Sequence, residues 1–302
     1  MYIYTMKHMT QFSGLSAQMI ILWNKKFKLL REEKIDREST FNKFDLKKII
    51  FTSFLIESNS KFTVEKLALK TPSELQVLVE FELHNYLKKV KKEFLPVIRL
   101  LTCVCFSYDE KSFDTIISIC FKILGIEDCC LEIVFPFIKE LSKISKTYSV
   151  EEAVISYTKN LLKNNLSYFI VTARHNLNLS DRKWLYFLPE NQDDEIELLF
   201  AYLHLKINSE NGVLLGVNQP LTSIKQCINS VKFTHVFTYV EDDYDMNILI
   251  KYLELIKSTI PNVVIFIASY SDLSKLMTTD IQYINVNKPR IFKKYLDKIK
   301  EL

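Results

Sequence analysis

The sequence contains no uncharged apolar run of the roughly 18 residues that a membrane-spanning helix needs, because Arg99 interrupts the longest candidate, around residues 97–106. Residues 1–10 offer neither an apolar signal-peptide core nor a small-residue cleavage site. These absences set the expectation of a cytoplasmic protein with no membrane contact. The six cysteines, Cys103, Cys105, Cys120, Cys129, Cys130 and Cys227, show no C-x-x-C spacing, so they read as reduced thiols in apolar helices and not as zinc ligands. The five histidines, His8, His84, His175, His204 and His235, are scattered, without a carboxylate or cysteine at a recognisable catalytic spacing. Only four glycines occur in 302 residues, Gly14, Gly125, Gly212 and Gly216, so there is no Gly-rich loop through which a backbone could approach a ligand closely.

What is present is a large apolar fraction, 48%, in a chain long enough for two or three domains around cores of their own. The net charge of +4 is uneven. Residues 1–50 hold ten Lys or Arg against five Asp or Glu, and the remainder sums to −1. A basic surplus confined to the first segment is what a head that meets a polyphosphate carries; a solvated basic face with no partner is the alternative.

Met6, Met9 and Phe12 fall on one helical stripe that Ser13-Gly14-Leu15 breaks, and Ser16 can cap a second helix over 17–26 with Ile20, Trp23 and Phe27 inward. The charged stretch 31–41 has no helical period and is read as a short β-wing. Asn42 caps the next helix, with Leu46, Ile49, Ile50 and Phe54 as its apolar positions, and Thr63 caps a shorter one. A new domain is expected to open at Thr71-Pro72-Ser73-Glu74, a capping box with Pro at the first helical position. From there to about residue 173 the pattern is helical, with breaks near Pro96, Asp109, Gly125 and Ser149, enough for a bundle. Residues 176–182 read as a linker. Beyond them, apolar runs at 184–188, 213–217, 236–240, 263–268 and 283–286 alternate with helical spacing at 194–208, 222–230, 243–258, 271–277 and 289–300. That alternation predicts a five-stranded parallel sheet with helices on both faces, and ligands of such sheets bind at the carboxyl ends of the strands.

The run Met19-Ile20-Ile21-Leu22-Trp23-Asn24-Lys25-Lys26-Phe27, after a helix and a tight turn, resembles the MerR family of winged-helix regulators. The family usually has Thr at the position of Met19, Arg at that of Ile21 and Glu at that of Asn24. The order of head, helical bundle and flavodoxin-like sheet resembles the MerR-type cobalamin-dependent, often light-responsive, regulators. The resemblance implies a winged helix-turn-helix domain at 1–70, a cobalamin-cap-like bundle at 71–175 and a cobalamin-binding-like α/β domain at 181–302. In that family an acid-x-His-x-x-Gly motif follows the first strand of the sheet, the His ligating cobalt. The matching positions hold Gln192, Asp194 and Glu197, which supply no imidazole and no clearance. The Trp and Glu-His pair that cover the cofactor in the family correspond to Ser145 and to Ile155-Ser156.

The resemblance and its departures imply a DNA-binding transcription regulator of MerR type that does not bind cobalamin, holds no metal and is not an enzyme. Its partner would be double-stranded DNA, contacted through Ser16, Gln18, Lys25 and Lys26 on the second helix and through Lys34 and Arg37 on the wing, with Gln18 the side chain suited to a base edge. Family members assemble, so a homo-oligomer, or a hetero-oligomer with a related regulator, is expected. Ile21 and the short wing keep a second reading open, that of a degenerate paralogue that pairs with an intact regulator without reading DNA. The cluster Glu241-Asp242-Asp243 after the third strand of the sheet is read as a solvated acidic loop.

Overall fold

The computed structural model describes residues 4–32, 34–89, 93–148, 152–173, 181–273 and 280–285 with 294 and 297, and side chains for all of these but 145–148 and 285. The expected linker up to residue 180, the capping box at Ser149, most of the helix expected at 271–277 and nearly all of that at 289–300 lie outside the described residues. The chain forms two compact units, Met1–Leu161 and Leu162–Leu302.

In the first unit β1 (Tyr4–Thr5) runs into α1 (Met6–Ser13). Gly14 ends α1 at a φ of 72°, in the left-handed region where a side chain is disfavoured, and donates its N–H to Thr10 O at 2.9 Å. Ser16 then caps α2 (Ala17–Phe27), its hydroxyl accepting from Met19 N at 3.1 Å. β2 (Thr40–Phe41) pairs antiparallel with β1, Tyr4 opposite Phe41. The wing expected over 31–41 is therefore not a hairpin of its own. Among its described residues only Thr40 and Phe41 are extended, because their partner comes from β1.

The inward stripe of α2 also differs from expectation. Ile20 is buried, but Trp23 and Phe27 are half-buried and Asn24 is buried in their stead, 1% exposed. Its amide accepts from Leu30 N at 2.8 Å and donates to Glu32 O at 2.5 Å, so it supplies partners to backbone that leaves the helix. Leu29 and Leu30 are thereby held inward, both buried.

Helices α3 (Lys43–Ser58), α4 (Val64–Ala68), α5 (Pro72–Leu87), α6 (Leu95–Phe106) and α7 (Glu110–Leu124) follow. Asn42 and Thr71 cap α3 and α5 as the sequence predicts, Thr71 in the expected capping box and Asn42 in a further one with Asp45. After α8 (Ile126–Cys129) a π-helical turn, Cys130–Val134, leads into α9 (Phe135–Tyr148), and the division between units falls inside α10 (Glu152–Thr172). The core of the first unit includes fully buried Phe12, Phe51, Phe113 and Phe137, each contributing about 1.5–3 kcal/mol by leaving water. Tyr4 donates to Phe106 O at 2.7 Å, and Lys47 pairs with Asp109 at 2.5 Å, tying α3 to the start of α7. The cysteines are free thiols, and all but Cys227 are buried. Burial pushes the Cys105 thiol up to about 12, so it stays protonated and unreactive near neutrality.

The second unit is built on five parallel strands, β3 (Lys183–Pro189), β4 (Asn211–Gln219), β5 (His235–Tyr239), β6 (Val264–Ser269) and β7 (Ile281–Asn285), in the order β4-β3-β5-β6-β7. Between them run α11 (Ile196–Ile207), α12 (Leu221–Ser230) and α13 (Met246–Thr259). β3 is internal and buried from Trp184 onward, so both faces of its pleat are apolar. Leu185 and Phe187 pack with Ile224 of α12 and Tyr252 and Ile256 of α13, while Trp184 and Tyr186 point to the opposite face, toward Phe266 and toward Tyr202 of α11. This order reverses direction between β3 and β5, the switch point at which doubly wound sheets open a crevice.

Candidate functional site

Two places carry the residues singled out from the sequence, one in each unit. On α2, Gln18, Lys25 and Lys26 are exposed, as their helical spacing requires when Ile20 and Asn24 face inward. Met19 (41% exposed) and Leu22 (53%) share that outward surface, a pair of apolar side chains that the basic pattern gave no reason to single out. Lys25 and Lys26 occupy the last turn, where a positive charge complements the helix dipole, and the Lys26 ammonium lies 5.2 Å from the centre of the Phe27 ring. Ser16 is exposed but its hydroxyl serves the cap. Lys34 and Arg37 are exposed on the segment between α2 and β2, where Asp36 and Ser39 form a local turn through a 3.0 Å side-chain bond. Ile21 is half-buried.

At the carboxyl edge of the sheet the three positions after β3 are drawn into the protein. Gln192 is 3% exposed, and its side-chain oxygen accepts from Glu241 N at 2.7 Å while its amide nitrogen donates to Asn191 O at 3.0 Å. It therefore spans the crevice, joining the loop after β3 to the loop after β5. Its backbone oxygen accepts from Asn218 N at 3.0 Å and Asn191 N donates to the Asn218 side chain at 2.9 Å, so the loop after β3 is also fastened to β4. Asn191 and Asn218 sit at φ of 65° and 52°, left-handed conformations that Asn tolerates better than most side chains. The Tyr252 hydroxyl accepts from Glu190 N at 3.1 Å and donates to Gln219 O at 2.6 Å.

Glu197, in the first turn of α11, is 2% exposed and accepts from the Tyr270 hydroxyl at 2.8 Å. Burial, and after it the neighbouring Glu197 carboxylate, hold the Tyr270 and Tyr239 hydroxyls protonated far above their ordinary range. Their rings meet edge to face at 6.2 Å. Asp194 is half-buried, and its charge also acts on both tyrosines. Glu241 is half-buried and Asp242 and Asp243 are exposed, Asp242 accepting from the Ser271 hydroxyl at 2.8 Å. Among the described residues no three His, Cys, Asp or Glu side chains converge as a metal site, and no helix is long and apolar enough to cross a membrane.

No family model matches the chain, and no curated protein matches its sequence. Among solved structures, the monomethylamine corrinoid protein of Methanosarcina barkeri aligns with a TM-score of 0.50 and 12% identity, over 68% of this chain and 99% of its own. The fold is shared with a corrinoid protein. The methanol:cobalamin methyltransferase complex MtaBC from Methanosarcina barkeri aligns with a TM-score of 0.34 and 10% identity over 78% of this chain and 93% of that one. A cobalamin-binding protein from Desulfitobacterium hafniense DCB-2 aligns with a TM-score of 0.33 and 11% identity over 66% and 98%.

In this cobalamin-binding-like fold the edge that carries Gln192, Asp194 and Glu197 is the ligand edge of the sheet. Gln192 is fastened there to Glu241 and Asn218, and Glu197 to Tyr270, partners of which the sequence alone gave no sign. Ile155 is half-buried and Ser156 exposed on α10, and the side chain of Ser145 lies outside the described residues.

Proposed function

We propose that the chain is a transcription-regulator-type protein whose first unit binds double-stranded DNA through α2 and whose sheet domain does not hold cobalamin. The observation that carries the DNA reading is the exposed face of α2, where Gln18 can reach a base edge while Lys25 and Lys26 neutralise phosphates. The α1–Gly14–α2 turn and the β1–β2 pair support reading 1–70 as a MerR-type winged helix, with Lys34 and Arg37 as flanking phosphate contacts. Residues 71–175 are then the bundle and 181–302 the former sensor.

For the sensor, an observation of this structure argues against a resident corrinoid. Gln192, at the position of the family's acid, is engaged in bridging the crevice at the switch point, Asp194 stands at the position of the imidazole, and Glu197, at the position of the Gly, is buried against Tyr270. No catalytic step is assigned to it. The protein would act in the cytoplasm as a homo-oligomer or alongside a related regulator.

Fluorescence anisotropy with duplex DNA at several salt concentrations tests the reading. With about four phosphate contacts per protomer, log K falls with log salt at a slope of roughly −3 to −4. Lys25→Ala with Lys26→Ala flattens that slope by nearly two units on every sequence, whereas Gln18→Ala shifts preference among sequences. No binding at low salt by the folded protein would overturn it. Met19 and Leu22 favour a second reading, since two exposed apolar side chains at the centre of this face suit a protein partner better than a phosphate backbone. In that case the chain pairs with an intact regulator, and Leu22→Glu abolishes the pairing while the salt dependence of DNA binding is absent.

A further inference from the structure

A cavity of about 230 Å³ opens in the first unit between the segment that leaves α2, the first turns of α3 and the turn that joins α4 to α5. Its apolar lining is presented by Leu69 and the Phe44 ring, 87% and 39% exposed, with the buried Leu29 and Leu30 behind them. Three cations line it as well, Arg31, Lys48 and Lys70, against one carboxylate, Asp45. That carboxylate is committed to the α3 capping box, where it accepts from Asn42 N at 3.2 Å. The cavity is thus positive, and part of its wall is apolar.

The arrangement of each cation bears on what could enter. The Arg31 guanidinium lies 4.9 Å from the centre of the Phe44 ring, which holds it beside the apolar wall. Lys48 is half-buried and donates to Ala68 O at 2.8 Å. Burial draws its pKa down, opposed by Asp45, so an entering anion would relieve a charge that the protein solvates poorly. The backbone at the start of α5 contributes little to anion binding, because Pro72 has no N–H and Thr71 N already donates to Glu74 at 2.7 Å. Recognition therefore rests on side chains. The volume lies below the roughly 300–1,000 Å³ of pockets for drug-sized ligands, which limits the occupant to a molecule of one or two rings.

We propose that this cavity binds a small aromatic carboxylate, its ring against Leu69, Phe44 and the edge of Leu30 and its carboxylate held by Arg31, Lys48 and Lys70. This goes beyond the DNA reading and does not rest on it, because none of the residues assigned to DNA lines the cavity.

Isothermal titration of the full chain with 2-naphthoate, with its neutral analogue 2-naphthamide and with inorganic phosphate tests the proposal. The expected result is saturable binding of 2-naphthoate, with 2-naphthamide and phosphate each at least ten-fold weaker. Arg31→Gln and Lys70→Gln, whose side chains lie at the surface or half-buried, each weaken 2-naphthoate at least five-fold without changing the thermal melt. Equal affinity for the amide would make the cavity a merely greasy groove, and equal affinity for phosphate a bare anion contact; either overturns the proposal. So does absence of binding at millimolar 2-naphthoate, or unchanged affinity in both variants.

Discussion

At the amino edge of the sheet, one histidine illustrates how much a single neighbour decides. His235 stacks on Trp184 with ring centres 4.5 Å apart, beside Glu210, which accepts from Arg182 at 2.7 Å and from the Trp184 indole at 2.9 Å. Burial first, and the Arg182 charge second, draw its pKa down to about 4, with Glu210 pulling the other way. The folded protein therefore binds fewer protons at His235 than the unfolded chain does between about pH 6.5 and about pH 4. The stability this ring contributes is complete above that window and is lost as the pH falls through it. Because the ring is only half-buried, solvent screening limits the loss to about 1–2 kcal/mol. Chemical denaturation at pH 7.5, 6 and 4.5 should show this decline in the native chain and a shallower one in His235→Phe, which keeps the stack without the proton. Equal slopes in the two proteins would show that the ring is not the titrating group. No reading of spacing identifies this histidine, since Glu210 and Arg182 reach it from other turns of the chain.

Among the elements, the turn between α1 and α2 depends most on one backbone position. Gly14 adopts a left-handed φ of 72°, and a Cβ there would run into the Arg99 guanidinium. Arg99 has a flexible side chain that can move aside, so the backbone strain dominates, and Gly14→Ala is expected to cost about 1–2 kcal/mol. A urea midpoint that falls with an unchanged slope would be the signature, whereas an unaltered midpoint would contradict the assignment. The helices and their caps were legible because a cap and a 3.6-residue period are local properties of the chain, as at Asn42 and Thr71. What escaped was non-local. The partner of Thr40 and Phe41 lies in β1, and no periodicity in 31–41 could point there. Asn24 was passed over in favour of Trp23 because hydrophobicity alone ranks them wrongly when an amide must serve the N–H of Leu30 and the carbonyl of Glu32.

Across the whole molecule, the alternation of apolar runs and helices foretold five parallel strands, and their bounds agree closely with the observed ones. The alternation alone does not fix the strand order, since a right-handed crossover can place the next strand on the neighbouring side of the sheet or beyond it; the flavodoxin-like resemblance implies 2-1-3-4-5 in chain order, which is the order observed. The order is what puts the loop after β3 next to the loop after β5, and so what lets Gln192 reach Glu241. On the proposed reading the purified protein is colourless, and adding adenosyl- or methylcobalamin in the dark produces no spectral change at micromolar concentration. A shift to a histidine-ligated spectrum would refute it. The Gln192 bridge also bears on reversibility. Introducing an imidazole by Asp194→His alone would leave the Gln192 bridge on one side and the Glu197–Tyr270 pair on the other in place. On the proposed reading, regaining a tenant there would take changes on both sides of the crevice, so the loss of the pocket would act as a ratchet.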